Sequence, residues 1–464
     1  MIEGLKPYPE YKDSGLPWVG SAPIHWSQRR MKFLFGERTQ KGFPKEPLLA
    51  ATQTKGVVRK EDYGERTVTA SKDLHLLKLV EQGDFVISLR SFQGGIEVAH
   101  CRGIISPAYT VLTPRPGSRQ GYFKYFFKSS DFINSLTLFV TGIREGQSID
   151  YVRLSRAYLP LPPEDEQEAI SRFLDNASGR VDRAILAKKK LIALLNEQKQ
   201  AIIHRAVTCG LDSTVPLRPS GIPWLGDIPK HWKTRKIKSL VSTVGGMTPN
   251  KGVEGFWGGQ MPWVSPKDMK VREIADSQDH ITNAALRETS ISVVRPPAVL
   301  IVVRGMILAR TFPTALTVVP VTVNQDMKAL IPQETELKPD YMVSLFTGIE
   351  RELLQLVEIA GHGTCCLRTD SWENFVLPLP PLSEQVAIGD HLKLDLGTLH
   401  RTISHTEREV ALLREYRIRL TADVVTGKLD VREAARKLPD TAEEAGATQE
   451  IGELTDVEPE DVEA

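Results

Sequence analysis

Cysteine is scarce in this chain: Cys101, Cys209, Cys365 and Cys366 are the four present among 464 residues. None belongs to a CxxC pair, so a zinc site of that type is excluded, and reduced cytoplasmic thiols are expected. Long apolar runs are missing too. The longest, 298–303 (AVLIVV), is far too short to cross a bilayer. The opening MIEGLKPYPEYKDSG has neither a basic start nor an apolar stretch, so no secretory signal is expected. Catalytic motifs are equally absent. There is no GxxxxGK(S/T) loop to cradle phosphates, and Gly361-His362-Gly363 is only a fragment of GxGxxG without a convincing strand before it. The proline pairs Pro162-Pro163, Pro296-Pro297 and Pro380-Pro381 lack the Asp/Asn/Ser before and Tyr/Phe after that an amino-methyltransferase needs to hold its target amine. Glu336 to Lys338 precedes Pro339-Asp340, the reverse of a PD…(D/E)xK metal nuclease. The histidines form no HExxH and no ligand pair, and His204 reads as a partly buried helix-face residue. No active site, bound metal or bound cofactor is expected.

What is present begins with a hidden charge asymmetry. The formal net charge is +1, yet residues 439–464 carry ten Asp/Glu and no Lys/Arg. Without that stretch, residues 1–438 hold 59 basic against 48 acidic side chains, a charge of +11. The acidic segment, with almost no large apolar content, is expected to be a disordered, solvated tail. The remaining body is basic enough to admit a polyanionic partner.

The chain repeats itself. LPLPPEDEQEAI at 159–170 returns as LPLPPLSEQVAI at 377–388, an offset of 218. SGLPWVGSAPIHW at 14–26 returns as SGIPWLGDIPKHW at 220–232, an offset of 206, and AVTCGLD at 206–212 returns as VVTGKLD at 424–430. Units of this length exceed solenoid repeats of ~20–45 residues, so a whole domain and its following helix are duplicated.

The clearest local signal follows each PLPP. Positions 170, 174, 178, 181, 185, 188, 192, 195, 199, 202 and 206 are apolar in eight of eleven cases, and their counterparts 218 residues later in nine of eleven. Their spacing is a helical period, placing Ile170, Leu174, Val181, Ile185, Ile192, Leu195 and Ile202 on one face of a first helix. Ile388, Leu392, Leu399, Ile403, Val410, Leu413 and Leu420 do the same on a second. Each helix could run 44 residues, roughly 66 Å at ~1.5 Å per residue. Gly210 and Gly427 stand near the far ends, and Gly179, Gly389 and Gly397 are places for kinks. The nearest partner for each stripe is the other stripe, packed antiparallel; packing of each helix on its own domain is the alternative.

The variable blocks, 27–158 and 233–376, mix β-type runs (DFVISL, YTVLTP, AVLIVV, LTVVPVTV) with helical patches and turn-rich loops. The expected fold class is α+β. It comprises two mixed α/β domains separated by two long antiparallel helices, a coiled-coil-like spacer in a pseudo-two-fold internal repeat. The expected boundaries are 1–158 and 213–376 for the domains, 159–212 and 377–430 for the helices, and 431–464 for the tail. Trp18, Trp26, Trp224 and Trp232, identically placed in the repeated phrases, read as packing anchors.

This arrangement resembles the specificity subunits of Type I restriction–modification systems (the HsdS family). The resemblance rests on the two LPLPPxxEQ phrases, SGLPWVG…IHW with SGIPWLG…KHW, and the exits VTCGLD and VTGKLD. GDFVISLRSFQGGIEVA, ISPAYTVL, FWGGQMPWVSPKDM and VNQDMKALIP within the blocks are also similar. It covers nearly the whole chain apart from the tail. It implies a cytoplasmic subunit without catalysis of its own, whose two target recognition domains each read half of a bipartite, asymmetric double-stranded DNA site. The helices would set the unread spacer and dock two methyltransferase subunits, which carry S-adenosylmethionine; restriction/translocase subunits would complete the complex. Candidate DNA-binding residues are Arg90, Ser91, Gln93, Arg144 and Gln147 in the first block. In the second they are Lys251, Lys267, Asp268, Arg304, Asn324 and Gln325. Arg suits guanine, Asn and Gln suit adenine, and Asp accepts from cytosine. The alternatives are solvated loop residues for each, a structural cap for Asp268, and, for the chain, a helical assembly scaffold that binds no DNA.

Overall fold

The computed structural model describes residues 5–53, 55–63, 73–89, 93–141, 148–360 and 363–439. The chain divides into two compact units, Met1–Lys189 with Glu407–Ala464, and Lys190–Thr406. Each unit therefore takes one variable block, the first half of the long helix that follows it, and the last half of the other long helix.

In the first unit a four-stranded antiparallel sheet runs in the order Phe35–Arg38, Tyr109–Pro114, Phe85–Ser88, Glu97–Val98. DFVISL and YTVLTP thus become its central strands. The helix Gln120–Phe126 sets Phe123 against Phe35, and Phe127 just beyond it against Phe35 and Phe85, with Tyr122, Phe126 and Phe132 filling the rest. Neighbouring rings meet edge-on or tilted, as at Phe35–Phe123 with centroids 4.9 Å apart, the geometry that aromatic quadrupoles favour.

The second unit is built on a five-stranded sheet ordered Val241–Gly245, Met327–Pro332, Val299–Val302, Thr314–Thr317, Glu273–Ile274. AVLIVV supplies its middle strand, buried along all four residues, as a strand covered on both faces should be. LTVVPVTV, read as one run, splits instead: its start ends the strand Thr314–Thr317, and Thr322–Val323 joins a separate three-stranded sheet. Pro320 lies in the break, where a missing N–H interrupts a ladder.

The repeated phrases do the same structural work in both units. The strand Ser27–Arg30 pairs with Tyr158–Leu161, and Lys233–Lys236 pairs with Val376–Leu379, so each LPLPP lies beside the residues following its HW. The glutamate of PPxxEQ then receives that HW. Glu166, 2% exposed, accepts from Trp26 Nε1 at 2.8 Å and from the Tyr8 hydroxyl, and bonds His25 Nε2 at 2.8 Å. Glu384 accepts from Trp232 Nε1 at 3.1 Å and bonds His231 Nε2 at 2.8 Å. The adjacent glutamines are fully enclosed. Gln167 accepts from the Arg119 amide and donates to the Gly117 and Pro162 carbonyls; Gln385 accepts from Lys338 and donates to Glu336 and Pro380. The far end of the other helix meets this knot. Tyr122 donates to the Val425 carbonyl at 3.0 Å, and Tyr341 to that of Val207 at 3.5 Å. Gly427 and Gly210 follow with φ +81° and +78°, a conformation that glycine adopts without strain. A Cβ on Gly427 would lie 2.4 Å from Pro23 Cδ, and one on Gly210 3.0 Å from Glu384 Oε1.

The long helices span Glu164–Cys209 and Leu382–Val425. Neither is interrupted at Gly179, Gly389 or Gly397, where no neighbour approaches. Of the stripe residues, Ile170, Leu174, Val181, Ile185, Ile388, Leu392, Ile403, Val410 and Leu420 are buried, and Ile192, Leu195, Ile202, Leu399 and Leu413 are half-buried. Within the first unit the two helices pack antiparallel: Val181 and Ile185 meet Val410, Leu413 and Tyr416. Asp182 pairs with Arg417 at 2.5 Å and Lys188 with Glu409 at 2.8 Å, one number rising as the other falls.

Residues 431–439, expected to belong to the tail, are part of the first unit. Val431 and Ala435 are buried in the first unit's core, and Arg432–Arg436 is a short helix. These two apolar side chains, four residues apart, form a face that the acidic composition downstream conceals. The Asp430 amide donates to the Lys6 carbonyl at 2.8 Å, tying this end to the start of the chain. Residues 440–464 lie outside the described residues.

Truncating Glu166 strands a buried indole N–H and a phenol, whereas the half-buried Glu384 has no tyrosine partner. Glu166→Ala should therefore lower the unfolding free energy by about 3 kcal/mol and Glu384→Ala by about 1 kcal/mol, read by urea unfolding of the full chain. Equal losses would show that the third donor contributes nothing.

Candidate nucleic-acid interface

In the second unit the backbone gathers the loops that carry the expected DNA contacts. The strand Trp257–Val264 pairs in parallel with Thr322–Val323, and the Asn324 amide donates to the Val264 carbonyl at 2.9 Å. The turn Pro266–Asp268 and the loop at 324–326 thus leave neighbouring strands side by side. A third loop joins them. The Met247 amide donates to the Val323 carbonyl, Trp263 Nε1 donates to the Met247 carbonyl at 2.9 Å, and Thr248 donates to the Gln325 side chain. Gly246 makes this approach possible, since a Cβ there would collide with the Asn324 carbonyl. Arg304 comes to the same place from the central sheet, its amide donating to the Asp326 carbonyl at 3.2 Å.

Within this cluster the expected contacts separate into two kinds. Lys251, Lys267, Arg304 and Gln325 are exposed. Asp268 and Asn324 are tied inward. Asp268 closes a capping box with Ser265 and accepts from the Gln278 amide at 2.8 Å, so its carboxylate is a structural cap. Asn324, 6% exposed, accepts from the Asp326 amide at 3.1 Å. Thr248, which aligns Gln325, has no motif to announce it; only the Gly245-Gly246 pair marks its loop.

In the first unit Gln93 is exposed in the turn that precedes Gly94 and Gly95. Arg90, Ser91, Arg144 and Gln147 lie outside the described residues. The turn is held by Lys128, a residue that sequence reasoning did not single out. Its ammonium donates to the Gln53 and Gly94 carbonyls, both at 2.7 Å, and to Glu97 at 2.6 Å. Burial pushes the Glu97 carboxyl up to about 7, against the opposing pull of that ammonium. Among the described residues no group of His, Cys, Asp or Glu is placed to hold a metal ion. Nor is any helix there long and apolar enough to cross a membrane.

Trp26 and Trp232 are buried, Trp224 stacks on Phe375 with centroids 5.1 Å apart, and Trp18 packs on Phe126 and Phe132. All four are packing residues. His204 is half-buried, its Nδ1 3.0 Å from the Gly348 carbonyl.

Fold and loops together define a class: duplicated αβ domains, each launching a long helix from a shared carboxylate knot and displaying divergent loops. The description of the Type I restriction modification DNA specificity domain matches residues 229–406. The EcoR124I/EcoR124II specificity subunit of Escherichia coli is 30% identical over 263 residues, covering 56% of this chain and 60% of its own. The MjaIX specificity subunit of Methanocaldococcus jannaschii is 31% identical over 169 residues, covering 35% of this chain and 38% of its own. The match to the first of these thus spans less than two thirds of that relative's length. A chain from a solved structure addressing complex assembly and conformational transition of the type I R-M system matches 87% of this chain and 98% of its own. Its TM-score is 0.62 at 17% identity, a likeness of fold. The matched part of the chain is thus similar to the specificity subunits of Type I restriction enzymes, and residues 229–406 match their DNA specificity domain.

Glu97 supplies a pH test of the turn. A carboxyl raised to about 7 contributes stability that is fully present below its ordinary value of 4.5 and lost as pH rises through 7. Thermal unfolding should show the wild type losing stability relative to Glu97→Gln between pH 5 and about 7.5. Parallel curves would mean that Glu97 ionises as an ordinary surface carboxyl.

Proposed function

We propose that this chain is the DNA-reading subunit of a Type I restriction–modification complex. Its target recognition domains lie within 1–158 and 213–376, and each binds one half of a bipartite, asymmetric duplex target. The long helices hold the two readers apart and dock two methyltransferase subunits. Those subunits bring S-adenosylmethionine and the methyl transfer; restriction/translocase subunits join them, and the chain itself catalyses nothing. The whole assembly acts in the cytoplasm.

One observation carries this reading. The repeated residues Trp26/Trp232, Glu166/Glu384 and Gln167/Gln385 are spent on the frame, while the exposed Lys251, Lys267, Arg304 and Gln325 stand on loops outside the repeated phrases. Two copies of one frame bearing different loops suit two half-sites of different sequence. Arginine and glutamine at loop tips supply the donors and acceptors that base edges require, and lysines supply charge for phosphates. A helical scaffold that bound no DNA would have no use for this divergence.

The test is methylome sequencing of cells that express the chain with its methyltransferase, against cells that lack it. The expected result is one bipartite motif that depends on the chain. Gln325→Ala should then relax one half-site and leave the other unchanged. An active methyltransferase with no chain-dependent motif would overturn the reading in favour of the scaffold.

A further inference from the structure

One repeated feature is not used by the frame. Arg29, Arg30 and Lys32 stand 206 residues before Arg235, Lys236 and Lys238, so three basic positions recur in the two copies. The structure puts them at the same address. Arg29 pairs in register with Leu159, and Arg235 with Leu377, the same leucine of LPLPP in each copy. Both leucines are buried and both arginines exposed. Lys32 and Lys238 follow just beyond their strands and are exposed as well.

The middle pair has local work: Arg30 lies over the Tyr158 ring at 5.2 Å, and Lys236 Nζ reaches Asn374 at 3.4 Å; of the outer four, Lys32 lies over the exposed Phe33 ring at 5.1 Å. The outer four form no ion pair among the described residues. Glu164 shares an open cleft with Arg29 but pairs with Arg119 at 3.5 Å, and its counterpart in the second copy is Leu382. No acidic residue occurs at 24–36 or at 228–253. Exposed neighbours have drifted apart, as at Ile24/Lys230, Ser27/Lys233 and Phe33/Ser239. Unpaired surface charges contribute little to stability, so the fold does not account for their retention in both copies.

We propose that Arg29 with Lys32, and Arg235 with Lys238, contact the phosphate backbone, one matched pair for each half-site. This rests on the DNA-reading function proposed above and adds to it the sequence-independent part of the affinity. Base-reading residues must differ between half-sites of different sequence, but the phosphates are the same at both. Retained charge on an otherwise drifting strand is what a common polyanion would select.

The experiment uses the full chain assembled with its methyltransferase and a duplex carrying the methylated motif, with Kd measured from about 50 to 300 mM KCl. Each phosphate contact contributes about 0.9 to the slope of log K against log salt. Replacing Arg29, Lys32, Arg235 and Lys238 together by Ala should reduce the slope by about 3 to 4, each domain's pair accounting for about half. The motif should not change, and Arg29→Lys with Arg235→Lys should restore the slope those two residues supply. An unchanged slope in a fully assembled complex overturns the proposal. So does an unchanged slope with lost methyltransferase binding on size-exclusion chromatography, which would make the strip a protein-docking surface. A wild-type complex without sequence-specific DNA binding would instead remove the DNA-reading function itself.

Discussion

A carboxylate taken out of water at the first turn of a helix is costly unless every lone pair finds a donor. Glu166 meets that demand with an indole N–H, a phenol and an imidazole, the first and last from the repeated HW and the phenol from Tyr8 before it. The consequence reaches well beyond one side chain. Satisfying Glu166 fixes where the first domain sits on its helix, and the enclosed Gln167 fixes the prolines that precede it. Trp26 then forms the floor on which Gly427 closes the other helix. Glu384 does the same for Trp232 and Gly210 with one donor fewer and more exposure. The negative charge also stands at a helix N-terminus, where the backbone dipole favours it. Domain orientation, helix start and helix end are thus consequences of one acid per copy, buried in the first and half-buried in the second.

That frame leaves the loops free to differ. In the second unit three loops are fastened to one another by backbone hydrogen bonds, which hold whatever side chains the loops carry. Thr248 against Gln325 and the Ser265–Asp268 box then stiffen particular tips. The first unit reaches a similar end by other means, with one ammonium shared among two carbonyls and a buried glutamate. The two domains share their attachment to the helices but not the way their tips are held.

Much of this was legible in the sequence because its causes are periodic or duplicated. The 3.6-residue stripe from Ile170 to Leu420 needed only a count, and none of its named residues is exposed. The second copy showed which of the residues 14–26 matter. What stayed hidden depends on contacts between distant segments. Nothing near Asp268 says that Gln278 will donate to it, and nothing near Asn324 says that Val264 will cover its backbone. Lys128 sits in an aromatic run and shows no sign of its tripod. Gly179 is disfavoured by intrinsic propensity, yet it lies inside an unbroken helix. The start of the tail was misjudged because two buried side chains, Val431 and Ala435, are too few to form a pattern.

The exchange of helix halves has a consequence for the order of events on the ribosome. The second unit, Lys190–Thr406, is one uninterrupted stretch, so its core is complete while more than fifty residues remain to be made. The first unit begins emerging earlier but cannot close, because its core includes Leu420, Val424, Val425, Val431 and Ala435. Tyr122 waits for the Val425 carbonyl, and Trp26 for Gly427. The domain that is synthesised first is therefore the one that finishes last, and until then its aromatic face stays open to solvent and to whatever guards nascent chains.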